Sequence, residues 1–369
     1  MKEDRRKITY LKNNDELKSF CQAQGTPDSI GFDTEFLRVK TYFPKACLFQ
    51  IATRDALALI DVLSIDDLKP LDNWLANPDI KIIMHAAGQD LELLQYLFGT
   101  LPRNIFDTQI ANAFLAEDGQ LGYAGLVEQE LHVTLEKSQS RTDWSRRPLS
   151  EKQLEYAIDD VRYLHSLMEK LTIQLEQNNV YGWFEQDCVG LETMSFEADP
   201  DDLLRRVKGK NNLSRQQLAV LRQLASWREQ QAIGKNLPRR WLIADEILIL
   251  MTEHLPDNLE QLRDIDEISE KVVSKYGQQC LEQISLAKQI PDTQWPKANT
   301  RPTPEEKALF KSLQKRVSSA AKNSGLQPGL LASRKTIQGL IDGHANNKLL
   351  HGWRQEIVGD QLVELLASE

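Results

Sequence analysis

Asp33 and Glu35 stand two residues apart in the apolar run IGFDTEF. In an extended strand that spacing projects both carboxylates from one face, with Cα atoms roughly 6.5 to 7 Å apart. Such a pair is unfavourable unless a cation neutralises it, and hard divalent cations choose oxygen ligands. The alternative is a solvated pair at the start of a turn. A third carboxylate, Asp90 of HAAGQD, falls where the strand IKIIMH gives way to a helix. It is either a metal ligand or a helix-start acid facing the positive end of the dipole. His85, at the end of that strand, is a candidate ligand, a supporting donor or a structural imidazole. Asp107 in FDTQ repeats the strand-to-helix placement and reads as a cap or a supporting group. Tyr156 and Asp160 are four apart on a helix, hence on one face with Cβ atoms roughly 5 to 6 Å apart. The adjacent Asp159 points about 100° away, towards solvent. Taken alone, Tyr156 reads equally as a half-buried aromatic anchor.

The combination is more specific than its parts. Four carboxylates suit two hard cations, which can hold a scissile phosphate between an attacking water and a leaving 3′-oxygen and lower the pKa of bound water. Tyr156, with a reference pKa of about 10, suits orienting that water better than abstracting its proton.

The elements that must position these groups follow from periodicity. SIGFDTEF, CLFQIATRD and ALALIDVLS read as three short strands forming a meander. LKPLDNWLAN is helical in pattern, IKIIMH is a strand, QDLELLQYLFG is a helix closed by Gly99, and NIF leads as a strand into the helix DTQIANAFLAE. Ser150 and Gln153 form an S-x-x-Q capping box that starts the helix carrying Tyr156 and Asp160. Strands first, then alternating helix and strand, predict an α/β domain with a mixed sheet flanked by helices over residues 1–202. Beyond Asp199 the pattern turns helical, with a capped helix from Asp245, an equivalent start at Ser333, and loops at Gly234 and Pro238. A weak duplication predicts two small all-α domains, 211–290 and 301–369. Trp227, Trp241 and Trp353 sit in these patterns as core residues.

Charge divides the chain. Of 369 residues, 45 are Lys or Arg and 54 Asp or Glu, a formal charge of −9. Residues 1–202 hold 20 basic against 35 acidic residues, whereas 203–245 hold 10 against 2 and 301–350 hold 9 against 3. Two basic blocks on an acidic body suggest phosphate-binding appendages, with solvated helix faces as the alternative. A hydrophobic fraction of 41% excludes a disordered or low-complexity chain. No apolar run approaches the roughly 20 residues that a bilayer requires, and the charged start MKEDRRKITY lacks an apolar h-region, so the expectation is a cytoplasmic protein without membrane contact. Four cysteines without C-x-x-C spacing indicate reduced core thiols.

DTEF at Asp33, HAAGQDLELL at Asp90 and YAIDDVRYL at Tyr156 and Asp160 resemble the three motifs of the DEDD superfamily of 3′–5′ exonucleases, in its tyrosine subfamily. FDTQIANAFL and TDWSRRPLS extend the resemblance to the ribonuclease D family, and the basic helical blocks resemble that family's C-terminal HRDC domains, the second more weakly. The resemblance implies a ribonuclease-H-like exonuclease domain followed by two HRDC-like domains. It implies that Asp33, Glu35 and Asp160 bind metal directly, Asp90 helps hold a second metal, and Tyr156 positions water. Two divalent ions, Mg2+ or Mn2+, and RNA 3′ ends such as those of tRNA precursors are the implied cofactors and partner. The implied product is nucleoside 5′-monophosphate, and no obligate protein partner is evident.

The basic residues nearest the motifs are Arg38, Lys40, Lys45, Arg141, Arg146 and Arg147. We expect Arg38 and Tyr42, His85, and the loop Trp144, Arg146 and Arg147 to contact terminal nucleotides, with aromatic stacking tolerant of base identity. Two competing functions stay open: a DNA exonuclease of the same superfamily, and an RNA-binding adaptor with an idle nuclease centre.

Overall fold

The computed structural model describes residues 6–116, 120–136, 139, 142–297 and 303–368. Arg141 lies outside them. The chain forms two compact units, one of residues 1–37, 45–194 and 302–369, the other of residues 38–44 and 195–301.

The first unit is built on a six-stranded mixed sheet. Its strands are β1 (Lys7–Leu11), β2 (Ser29–Leu37), β3 (Lys45–Ala52), β4 (Ala56–Ile60), β5 (Lys81–Met84) and β6 (Ile105–Asp107), in the order β1-β4-β3-β2-β5-β6. The β2-β3-β4 meander is antiparallel, and β1, β5 and β6 join it in parallel pairings. The predicted meander is therefore present, with one edge strand added that the sequence reading passed over. KITYL is charged and exposed at its start, as suits an edge, and offers little apolar signal.

Helices α1 (Asn14–Gln24), α2 (Lys69–Leu75), α3 (Gly88–Phe98), α4 (Thr108–Leu115), α5 (Tyr123–Leu131), α6 (Glu151–Arg162), α7 (Leu164–Gln177) and α8 (Tyr181–Glu192) flank the sheet. Gly99 ends α3 in the left-handed conformation, φ 76°, and Ser150 and Gln153 close a reciprocal capping box at the start of α6. The single helix expected from Ser150 onward is two, because the chain breaks at Tyr163. Gly31 lets α7 approach closely: a Cβ there would lie 3.1 Å from a Leu164 methyl.

The second unit holds α9 (Pro200–Arg206), α10 (Arg215–Lys235), α11 (Arg239–Leu242), α12 (Asp245–His254), α13 (Leu259–Arg263) and α14 (Glu270–Lys288) around its own apolar core. The loop expected to contain Gly234 and Pro238 starts later than expected: α10 takes in Gly234 and runs to Lys235, and the turn opens at Asn236, φ 47°, and includes Pro238. Trp227 is buried as expected, but Trp241 is 60% exposed, because the four-residue α11 turns Leu242 inward instead.

Helices α15 (Pro304–Asn323), α16 (Pro328–Leu331), α17 (Arg334–Ile341), α18 (Gly352–Arg354) and α19 (Asp360–Ser368) belong to the first unit, and their apolar faces share one core with the sheet and α4 to α8. Trp353 stacks on Trp183 at 5.5 Å and meets Phe114 at 5.4 Å, and its Nε1 donates to Asp187 at 3.0 Å. Arg354 makes two hydrogen bonds to the same carboxylate, at 2.5 and 2.8 Å. Both charged side chains are largely buried, 10% and 17% exposed. Asp187→Ala strands the guanidinium and the indole N–H, so we expect a loss of about 3 kcal/mol. A lower urea midpoint for the full chain is the check, and an unchanged midpoint would show this contact to be dispensable. No helix among the described residues is long and apolar enough to cross a membrane.

Candidate active site

β2 delivers Asp33 and Glu35 to one face of the sheet, where both are half-buried while Phe32 and Thr34 on the opposite face are buried. α6 runs across that face: Ala157, Ile158 and Val161 pack down, and Tyr156 and Asp160 stay half-buried. Asp90 enters from the first turn of α3 and accepts a short hydrogen bond from the Thr34 hydroxyl, which ties the third carboxylate to the strand of the first two.

Asp107 explains how the turn before α3 is held. Its carboxylate caps α4 by accepting from Gln109 and Ile110 N–H, at 2.8 and 3.2 Å, and it also accepts from Ala86 and Ala87 N–H at 3.1 and 2.9 Å. Ala86 sits at φ 57°, an unfavourable conformation for a residue with a Cβ. Four hydrogen bonds to one carboxylate hold it there, and α3 starts where Asp90 can reach Thr34.

The electrostatics is that of an acidic pocket. Burial, then the neighbouring Asp90, Asp160 and Glu35 charges, push the Asp33 carboxyl well above the usual range. Burial and then Asp160 and Asp90 push Glu35 up to about 9. Asp160 rises to about 8, from burial and the neighbouring Asp159, against a hydrogen bond from the Tyr156 hydroxyl. Asp90 rises to about 7, chiefly from burial, partly offset by the Thr34 hydroxyl. These carboxylates hold protons because their charges crowd one another in a poorly solvated place. Among the described residues no three carboxylate, imidazole or thiol groups close into a ligand shell. The donor set itself, four carboxylates and a phenol, is all hard oxygen and fits divalent cations of that class. Asp159 is not solvent-facing as expected: its side chain is only 23% exposed and pairs with Arg162 at 2.8 Å.

The substrate-contact candidates divide. His85 is partly buried, its Nδ1 2.9 Å from the Thr108 hydroxyl and its ring edge-on to Tyr123 at 5.6 Å. Its Nε2 is buried and has no partner among the described residues. Trp144 is 1% exposed and packs 6.0 Å from the Tyr156 ring, so it supports that tyrosine and has no free face for a base. Arg147 is likewise committed: it pairs with Asp61 at 2.6 and 2.7 Å and donates to the Cys47 carbonyl at 2.7 Å, bracing its loop against β3 and β4. Arg146 is exposed beside Asp143 at 3.2 Å. Arg38 and Tyr42 fall in the second unit, where the Tyr42 ring lies under Arg239 at 5.2 Å and its hydroxyl donates to Glu229 at 2.5 Å.

Three residues near the acids escaped the sequence reading. Thr34 is the middle letter of D-x-E, and nothing in the spacing marks it. Tyr123 accepts from the Tyr163 N–H at 3.2 Å, and its phenol is pushed well up, first by burial and then by Asp160 and Asp33. Gln50 is fully buried in β3; a polar letter inside CLFQIA was the available signal.

Comparison with known proteins follows this geometry. A family model described as 3′-5′ exonuclease matches residues 8–176, one described as HRDC domain matches 217–284, and one described as Ribonuclease D, C-terminal HRDC domain, matches 304–362. The ribonuclease D of Pseudomonas paraeruginosa is 34% identical over 98% of this chain and 98% of its own length. That of Escherichia coli is 34% identical over 96% and 97%. The crystal structure of Escherichia coli RNase D, described as an exoribonuclease involved in structured RNA processing, superposes with a TM-score of 0.85 at 32% identity, covering 97% of this chain and 98% of that one.

Proposed function

Because the chain belongs to the ribonuclease D family, we propose that Asp33, Glu35, Asp90 and Asp160 together hold two divalent cations, Mg2+ or Mn2+, at the 3′ end of an RNA strand. The chain is a 3′–5′ exoribonuclease, and divalent-metal dependence comes with the family. The observation that supports the residue assignment is geometric: Asp33 and Glu35 share the face of β2 that α6 crosses with Tyr156 and Asp160, and Asp90 is hydrogen-bonded to Thr34 of the same strand. When bound, such ions supply Lewis acidity, acidifying a water and offsetting the charge that builds on the scissile phosphate.

The protein's own groups do the rest. The Tyr156 phenol is pushed up by burial and by Asp160, so at neutral pH it keeps its proton and donates a hydrogen bond. Its role is to orient the attacking water, held in place by Asp160 on one side and by the Trp144 ring beneath. Attack on the terminal phosphodiester from this position releases a nucleoside 5′-monophosphate. Thr34 and Asp107 hold Asp90 at the height of Asp33 and Glu35. Arg146, exposed beside Asp143, is the basic side chain of this unit that we assign to the RNA strand.

We read 1–202 as the exonuclease module and 211–290 and 301–369 as HRDC modules whose basic blocks draw in RNA through its phosphates, independently of sequence. Structured-RNA precursors such as tRNA 3′ ends suit that arrangement, and the description of the Escherichia coli relative supports it. Four free, buried cysteines suit the reducing cytoplasm.

Matched RNA and DNA strands labelled at the 5′ end test this reading. We expect stepwise shortening of RNA from its 3′ end with Mg2+ or Mn2+, none in chelator, and slower loss of DNA. Faster loss of DNA would overturn the substrate, and full activity in chelator would overturn the metal site.

A further inference from the structure

The layer between the sheet and α6 contains an amide to which the fold gives no partner. Gln50, in the middle of β3, is 0% exposed, and neither its Oε1 nor its Nε2 has a hydrogen-bond partner among the described residues. Leu48, Phe49, Ile51 and Ala52 around it are fully buried, and its register partner on β4 is the buried Leu59. A buried amide without partners is destabilising, and a hydrocarbon of the same length would avoid that cost. On its other side the register sets Gln50 opposite Asp33. Directly opposed residues of an antiparallel pair send their side chains to the same face, with Cβ atoms roughly 4.5 to 5.5 Å apart. The Gln50 side chain therefore runs beside the Asp33 carboxyl, on the dry side of the acidic pocket.

We propose that Gln50 is a positioning residue for the metal site, its Nε2–H donating to the Asp33 carboxylate when that site would hold its ions. The inference rests on the reading of the four carboxylates as that site. An ionised carboxylate is acceptor-only and keeps lone pairs after binding a cation, and metal-ligating groups are regularly oriented by an outer hydrogen-bond donor. Asp90 has such a donor in the Thr34 hydroxyl, and Asp160 has one in the Tyr156 phenol. Gln50, opposite Asp33 on β3, supplies the matching side-chain donor, beside the Thr34 backbone N–H from which the Asp33 carboxyl already accepts.

Thermal unfolding of the full chain tests this without reference to activity. Wild type, Gln50→Met and Gln50→Leu are melted in chelator and then across a titration with Mn2+ or Mg2+ alone. Both variants are expected to melt at least about 2 to 4 °C higher than wild type in chelator, having lost an unpaired buried amide. The metal concentration giving half of the metal-induced stabilisation is expected to rise about 10- to 100-fold. The metal midpoint decides: if it is unchanged, the inference is overturned whatever the melting temperature does. Variants that melt lower in chelator, or fail to fold, would make Gln50 a packing residue and overturn it equally. Absence of any metal-induced stabilisation in wild type would defeat the carboxylate reading as well, an outcome distinct from failure of Gln50 alone.

Discussion

Asp33→Ala and Asp160→Ala are each expected to reduce RNA hydrolysis by about 1000-fold or more, with RNA retention on a filter near the wild-type level. Each would remove a carboxylate proposed to hold a metal that stabilises transition-state charge by several kcal/mol, and each 1.36 kcal/mol is about tenfold in rate. Binding is expected to persist because most phosphate contacts are assigned to the basic helical blocks and not to these acids. Tyr156→Phe removes one hydrogen bond to a charged group and should cost about 10- to 100-fold. Asp159→Asn, whose carboxylate pairs with Arg162, serves as the control within the same helix and should turn over at close to the wild-type rate. Single-turnover rates on a labelled oligonucleotide measure all four. Normal turnover in the Asp33 or Asp160 variant would remove that residue from the chemistry.

Glu35→Gln raises the stability of the metal-free protein at pH 7 to 8 while lowering activity. The folded-state carboxyl is held up at about 9 by burial, Asp160 and Asp90, whereas the unfolded chain ionises near the ordinary 4.5. Below that ordinary value both states carry the proton and the group contributes no difference. As pH rises above it, the unfolded chain ionises and the folded one does not, so stability falls until pH passes about 9. Asp33 and Asp160, also raised, act with the same sign. The glutamine cannot ionise, and we expect it to restore about 1 to 3 kcal/mol at pH 7, allowing for residual solvent screening. Urea unfolding in chelator at pH 5 and pH 8 measures it: the variant should gain more at pH 8. An equal gain at both values would mean that Glu35 keeps an ordinary pKa. A divalent ion binds the ionised carboxylates, so added metal should stabilise wild type more at pH 8 than at pH 5.

The acidic pocket was legible because pleat and helix periods are rigid. Two apart on a strand and four apart on a helix dictate a shared face, which paired Asp33 with Glu35 and Tyr156 with Asp160; reading the pairs as one site took the combination with Asp90 and the family resemblance. Asp107 was legible as a cap, but its bonds to Ala86 and Ala87 were not, since they join a strand end to a turn twenty residues away. The nucleotide-contact residues fared worse. Trp144 and Arg147 lie in a polar loop, TDWSRR, which composition marks as exposed. Burial of one beneath Tyr156 and capture of the other by Asp61 are long-range events. Gln50 was visible only as a misplaced polar letter; its meaning needed the β2–β3 register, which local pattern does not contain.

The Trp353 and Arg354 contacts with α4 and α8 also bear on how the protein is made. Trp183 and Asp187 leave the ribosome about 170 residues before the groups that cover them, which at typical elongation rates of about 5 to 20 residues per second is an interval of roughly 10 to 30 seconds. During that interval a nascent nuclease exposes an aromatic face and a carboxylate awaiting its partner. Chains cut short by stalled translation would keep that face bare, an invitation to chaperones and proteases.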